Sequence, residues 1–223
     1  MKSLAFAIIL LVQTPAPGAA GPWLAESGST FTSVSTTLNY QLDVTRNTYL
    51  EHGLNPRLTL GGELILENDR FGSRKGGVTL FLRRPLDMGA VPHLFAYELG
   101  LGARWANDVT HPHAQAGLSW GRGFEWRGTS GWTTVDSALR VGLKDSGYLF
   151  KVDGTIGFNL TSDLAAVGQI YLYQSEAGNG ATLAPSIVWR YLKTRDSRIQ
   201  IGFETPLDRP ERTAAKIGLW QRF

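Results

Sequence analysis

The chain has 223 residues, a formal net charge of +3 and no cysteine, with 26 glycines, seven Trp, seven Tyr and ten Phe. So small a charge excess, with no run of five like charges, argues against a nucleic-acid binder, and the lack of cysteine excludes disulfide staples, thiolate metal ligands and a thiol nucleophile. One domain of many strands and tight turns fits this length and composition.

The amino terminus reads as a secretory signal peptide, with Lys2, an apolar run over residues 4–12 and a small-residue stretch ending in Ala19-Ala20. A helix needs roughly 20 apolar residues to cross a bilayer, so this run is too short for an anchor. Cleavage is expected after Ala20, which removes only Lys2 among the charged residues and takes the net charge from +3 to +2. Residues 21–223 then form one domain. No later segment holds ten uninterrupted apolar residues, so the exported chain is either soluble or spans a membrane as a closed sheet.

Apolar and polar residues alternate at period two, which predicts twelve strands over 30–41, 45–54, 57–68, 77–85, 91–105, 112–121, 131–142, 147–160, 163–174, 181–192, 197–206 and 212–223. Most reach the length of about 9 to 11 residues that a tilted transmembrane strand needs, against five or six for an average strand. Each strand has a greasy side and a charged side. In the third, Leu58, Leu60, Leu64 and Leu66 oppose Arg57, Thr59, Glu63 and Glu67; in the eighth, Phe150, Val152, Ile156 and Phe158 oppose Lys151, Asp153, Thr155 and Asn159. The expected fold is all-β, a transmembrane antiparallel up-and-down barrel with lipid outside and a polar lumen inside. Polar turns at 54–57, 160–163 and 193–197, with a long connection at 121–130, fall at the end that carries both termini, taken as periplasmic. Loops around 69–76, 106–111, 144–147, 174–180 and 207–211 fall at the other. Pro185 sits awkwardly inside the tenth strand, since it cannot donate to a ladder. Trp105 and Tyr173 at outer strand ends, with Trp120, Trp132, Trp189 and Trp220 at inner ends, are expected to form interfacial girdles.

Little in the chain points to catalysis. Gly117-Leu118-Ser119-Trp120-Gly121 matches the serine-hydrolase elbow, but no helix follows it, and His113, on the face of Ser119, is about 20 Å away along a strand. His111-Pro112-His113, with His52 and His93 elsewhere, makes a weak metal set. No metal, cofactor or catalytic residue is expected. The remaining candidate site is the lumen, whose charges by phase are Glu51, Arg57, Glu63, Glu67, Arg83, Glu98, Arg104, Asp136, Arg140, Lys151, Asp153, Arg190, Arg198, Glu204, Lys216 and Arg222. Seven are acidic and nine basic, a balance that invites interior ion pairs because buried charges are costly alone. Lumen glycines at 61, 100, 102, 117, 142, 157, 202 and 218 are expected to leave space for a passage.

The last eight residues, Lys216-Ile217-Gly218-Leu219-Trp220-Gln221-Arg222-Phe223, resemble the assembly signal of Gram-negative outer-membrane β-barrels. Lys216, Gly218 and Phe223 fall on its polar, glycine and terminal aromatic positions, with Leu219 between, while Gln221 replaces the penultimate aromatic. The stretch Tyr49-Leu50-Glu51-His52-Gly53-Leu54-Asn55-Pro56-Arg57-Leu58-Thr59-Leu60-Gly61 resembles a hairpin of small proteobacterial barrels, including the phenol-degradation-operon family of transporters for hydrophobic compounds. These resemblances imply residence in a bacterial outer membrane, with its lipid and lipopolysaccharide and the barrel-assembly machinery as partners. Outer-membrane lipases and lipid A deacylases share the architecture, but no matching His-x-Ser pattern followed by Asn is found. The expected function is a porin-like barrel that passes or binds a small solute, its lumen charges setting selectivity. The alternatives are a sealed structural barrel of the envelope or a lipid-modifying enzyme.

Overall fold

The computed structural model describes residues 21–87, 92–106, 108–192 and 196–223. The expected signal peptide, residues 1–20, lies outside the described residues. Thirteen strand segments follow in order: β1 (Thr30–Asn39), β2 (Val44–Asn55), β3 (Leu58–Asn68), β4 (Arg74–Leu86), β5 (His93–Ala106), β6 (Val109–Trp126), β7 (Thr129–Gly142), β8 (Tyr148–Asn159), β9 (Leu164–Ser175), β10 (Gly178–Leu183), β11 (Ser186–Leu192), β12 (Asp196–Pro206) and β13 (Ala214–Arg222). Each pairs antiparallel with its neighbours, and β1 pairs with β13 from Phe31 opposite Arg222 to Asn39 opposite Ala214, closing the sheet.

Twelve strand positions make up the barrel, because β10 and β11 occupy one position end to end. Leu183 faces Ile170 and Ser186 faces Val167 on β9, so the register runs unbroken across Ala184-Pro185. The Ala184 amide still donates to Gln169 and the Phe203 amide to the Pro185 carbonyl. Proline has no N–H to return the second bond, so the interruption costs one ladder hydrogen bond and no bulge.

The outward face is the apolar one. Leu80, Leu99, Leu101, Ile201 and Ile217 are 60 to 65% exposed, whereas Thr59, Thr79 and Gln200 on the inner face are at most 2% exposed. A continuous apolar exterior around a polar interior inverts the arrangement of a water-soluble barrel and matches a lipid-facing surface.

The predicted long connection at 121–130 is instead strand. β6 and β7 pair out to Trp126 opposite Thr129, and the hairpin turns on Arg127 and Gly128 alone, with φ of 50° and 78°. Two positive φ values are the signature of the type I′ turn, whose twist matches that of the strands.

The tryptophan girdle also needs correction. Trp132 and Trp220 point into the lumen, and Tyr173 shares the face of Tyr171, which also lines it. Trp189 remains outside and 53% exposed, while Trp120 stacks on His93 and donates to its Nδ1 at 3.1 Å.

A segment that has no strand of its own, residues 21–29, runs from the terminal rim, where Glu26, Ser27 and Gly28 are exposed, into the barrel, where Gly21 and Pro22 are buried. Ser27 bridges Gly53 in parallel, Gly28 donates to the Gly53 carbonyl, and the Ala25 amide donates to Thr59 Oγ1 at 3.1 Å. Trp23 packs with Trp220 against Trp132, Ala165, Val167 and Val188. Gly53 and Gly121 make room for this: a methyl group on Gly53 would lie 2.6 Å from the Ala25 carbonyl oxygen, and one on Gly121 would lie 2.6 Å from the rings of Pro22 and Trp23.

Candidate functional site in the barrel lumen

Antiparallel strands with side chains alternating in and out project one residue in two towards the axis. From this follows a central cavity of about 260 Å³ whose charged lining is Glu63, Arg83, Glu98, Arg140, Asp136, Asp153, Lys151 and Lys216. Four acids face four bases, and hydroxyl and amide side chains such as Tyr49, Gln115 and Tyr171 fill the intervals.

Arg83 organises one wall. Its Nη2 lies 2.8 Å from Glu98 Oε2 and 3.2 Å from the Tyr49 hydroxyl, while its Nη1 pairs with Glu51 and donates to the Gly21 carbonyl at 3.0 Å. Tyr49 in turn donates to Glu51. Gln115 bridges this group to the next, donating to Glu98 at 2.7 Å and accepting from Arg140 Nε at 2.6 Å. Arg140 then pairs with Glu63 at 2.6 Å, a contact that spans the lumen from β7 to β3. On the far side Lys216 pairs with Glu204 at 2.9 Å and donates to the Tyr171 hydroxyl at 3.3 Å. Lys151 stands 3.7 Å from Asp153. A low-dielectric wall strengthens every such pair and penalises any charge left out of one.

One charge is held less completely: Ser119 and Thr134 hydrogen-bond the Asp136 carboxylate and the charge of Arg83 attracts it. Asp136 lies directly opposite Asp153 across β7 and β8, and Oδ1 of each carboxylate is buried without a hydrogen-bond partner. Among the described residues Asp136 has no ion pair.

The sixteen charges expected in the lumen separate into three groups. Glu51, Glu63, Arg83, Glu98, Asp136, Arg140, Lys151, Asp153, Glu204 and Lys216 come together around the cavity. Glu67 and Arg104 stand at the rim away from the termini, Glu67 exposed opposite Lys75 and Arg104 at 3.6 Å from Asp145. Arg190, Arg198 and Arg222 gather near Asp196 at the terminal rim, with Arg57 exposed beside Asp87 on a turn. Of the residues expected to form an assembly signal, Lys216 and Gly218 face inward, Leu219 outward, and Phe223 pairs its backbone with Thr30. The same alternation would have found Tyr49, Gln115 and Tyr171. Nothing in the sequence pattern shows residues 21–23 entering the lumen.

The space expected at the lumen glycines is taken. A methyl on Gly61 would land on the Phe81 ring, one on Gly157 on Trp132, one on Gly102 on His113, and one on Gly202 on Ser186. These glycines admit rings or neighbouring backbone rather than widen a passage. Ser119 lies mid-strand opposite Asp136 rather than on an elbow, and His113 is bonded to Thr79 at 3.0 Å. Among the described residues, no group of three His, Asp or Glu is placed to hold a metal ion.

The outline of this barrel is similar to solved outer-membrane structures. The KdgM porin aligns at a TM-score of 0.58 with 11% identity, over 87% of this chain and 99% of that one. An outer-membrane channel from Pseudomonas putida F1 aligns at 0.56 with 10% identity, over 93% and 99%. The β domain of the Bordetella autotransporter BrkA aligns at 0.55 with 12% identity, over 89% and 100%. At such identities the likeness is one of fold. No protein-family model matches the chain, and no curated protein matches it by sequence.

Proposed function

We propose that this chain is a bacterial outer-membrane barrel that takes a small polar solute into the charged central cavity and passes it when the terminal end opens. The observation that carries this reading is the cavity itself, about 260 Å³ lined by four acidic and four basic side chains. Such a lining favours a solute rich in hydroxyl or charged groups. A hydrophobic compound, the substrate class implied by the hairpin resemblance, would displace water from this charged wall without offering it hydrogen bonds. Two of the fold's structural likenesses are a porin and a channel, and the porin also has a structure in complex with disordered oligogalacturonate, which supports passage as the use of this architecture. Segment 21–29 with Trp132 and Trp220 fills the terminal end, so passage requires that segment to move.

Selectivity measurements in a planar bilayer test the reading. The refolded protein should show discrete conductance steps. Arg140→Ala leaves Glu63 without its partner in the cavity and should shift the reversal potential in a salt gradient towards cation preference. Arg104→Ala, at a rim where the side chain is 53% exposed, should change it little. An inserted wild-type barrel that neither conducts nor takes up sugars or amino acids in liposome swelling would sink the proposal.

A further inference from the structure

Asp136 makes no ion pair among the described residues, and its Oδ1 is buried without a hydrogen-bond partner. We propose that its partner is the α-ammonium group of Gly21, made when the Ala20–Gly21 peptide bond is hydrolysed, and that this ion pair latches residues 21–29 inside the barrel. The inference deepens the reading above by naming what holds the closing segment, but it has its own observable.

The geometry is close. A methyl group built on the Gly21 α-carbon would stand 3.0 Å from Asp136 Oδ1 and 3.3 Å from Oδ2, and the Gly21 nitrogen is bonded to that same carbon. The Gly21 carbonyl is already held by Arg83 at 3.0 Å. Pro22 and Trp23 lie against Gly121, and Ala25 is tied to Thr59, so four successive contacts lead the chain to this spot.

The electrostatics ask for a positive charge here. Like charges directly opposite on paired strands repel, and Asp136 and Asp153 are such a pair, each with a buried oxygen unpartnered. A buried carboxylate without a counter-ion is costly. Arg83, which holds the Gly21 carbonyl, attracts Asp136 but spends its salt bridges on Glu51 and Glu98.

The processing chemistry supplies the missing group. Water adds across the Ala20–Gly21 bond, its hydroxyl going to the Ala20 carbonyl carbon to give a carboxylate and its hydrogen to the Gly21 nitrogen. The amine so freed has a pKa near 8 and is mostly protonated at neutral pH.

Reductive dimethylation at neutral pH, read by mass spectrometry of the amino-terminal peptide, tests this on full-length protein exported to the outer membrane and purified folded in detergent. The first residue should be Gly21, and its amine in the folded protein should label at least tenfold more slowly than after heat unfolding. Asp136→Asn should recover most of that rate. Gly121→Leu, which unseats Pro22 and Trp23 but keeps Asp136, should do the same, and Asp208→Asn on an exposed turn should label like wild type. Heat-dependent gel mobility reports whether each variant is folded. If Asp136→Asn does not fold, wild-type protection and Gly121→Leu still decide. A different first residue, a folded wild type that labels at the unfolded rate, or a folded Asp136→Asn that stays protected would overturn the latch. Conductance does not enter: a silent barrel with a protected Gly21 keeps the latch and loses the transport reading, and a conducting barrel with an unprotected Gly21 does the reverse.

Discussion

Two arginines, each beside a carboxylate, show why position decides what an ion pair is worth. The Arg83 side chain is 6% exposed and shared by Glu51 and Glu98, so Arg83→Met strands two buried acids and should destabilise the barrel by about 3 kcal/mol. Arg57 and Asp87 are both more than 60% exposed, and Arg57→Ala should change stability by no more than about 0.5 kcal/mol. Urea unfolding in detergent, followed by tryptophan fluorescence, measures both. A second test concerns the seat of a ring. Gly61→Ala drives a methyl into Phe81 and should cost about 1–3 kcal/mol, most of which should vanish in the double variant with Phe81→Ala if the clash is the cause. Alternation placed Arg83 and Glu51 on the inner face from sequence alone. It could not show that Phe81 lies over Gly61, because a glycine opposite an aromatic reads equally as a void and as a socket.

Strand ends and turns are governed by local bonds, which makes them sensitive to solvent conditions. The connection after β7 is held by Asp145, which accepts from His111 Nδ1 at 2.5 Å and from the Gly147 amide at 3.1 Å. The His111 hydrogen bond, ahead of the opposing effect of desolvation, keeps the Asp145 carboxyl below its ordinary value. A depressed carboxyl stabilises the fold above the unfolded pKa, near 4, and that contribution is lost as pH falls through the lower folded value. Residues 143–147 should therefore loosen only in acid, and Asp145→Asn should loosen them at all pH; amide exchange of the variant against wild type at matched pH is the check. In the interrupted strand, Pro185→Val restores the missing ladder donor and should leave stability unchanged or raise it by up to about 1 kcal/mol. A loss larger than that would mean Pro185 does something the ladder does not show. The twelve strands were legible from period-two patterning, and Pro185 was recognisable as a break. The hairpin tip was not: Gly121, Gly123, Gly128 and Gly131 dilute the alternation so far that a paired ribbon reads as a loop, and the positive φ of Arg127 that makes the turn leaves no mark in residue type.

At the scale of the molecule, closure depends on the join between the first and last strands. Phe223 exchanges backbone hydrogen bonds with Thr30 at 2.9 and 3.0 Å, while its ring is 71% exposed. The ring therefore adds little packing, and Phe223→Ala should leave the unfolding midpoint of the refolded barrel within about 0.5 kcal/mol of wild type. In cells the same variant should accumulate less in the outer membrane, if the resemblance to an assembly signal is functional. Equal loss in both assays would show that the ring supports the fold instead. The barrel architecture was legible because lipid outside and charge inside leave a pattern in every strand. The contents of the lumen were less so, since its closing segment is fixed by glycine sockets and one arginine rather than by any periodic signal.

Every connection between strands is short, the longest being the seven residues from 207 to 213. A barrel trimmed this closely presents little more than a ring of turns at either end. With no long loop to grip a partner, whatever this barrel does must be done by its wall and its interior.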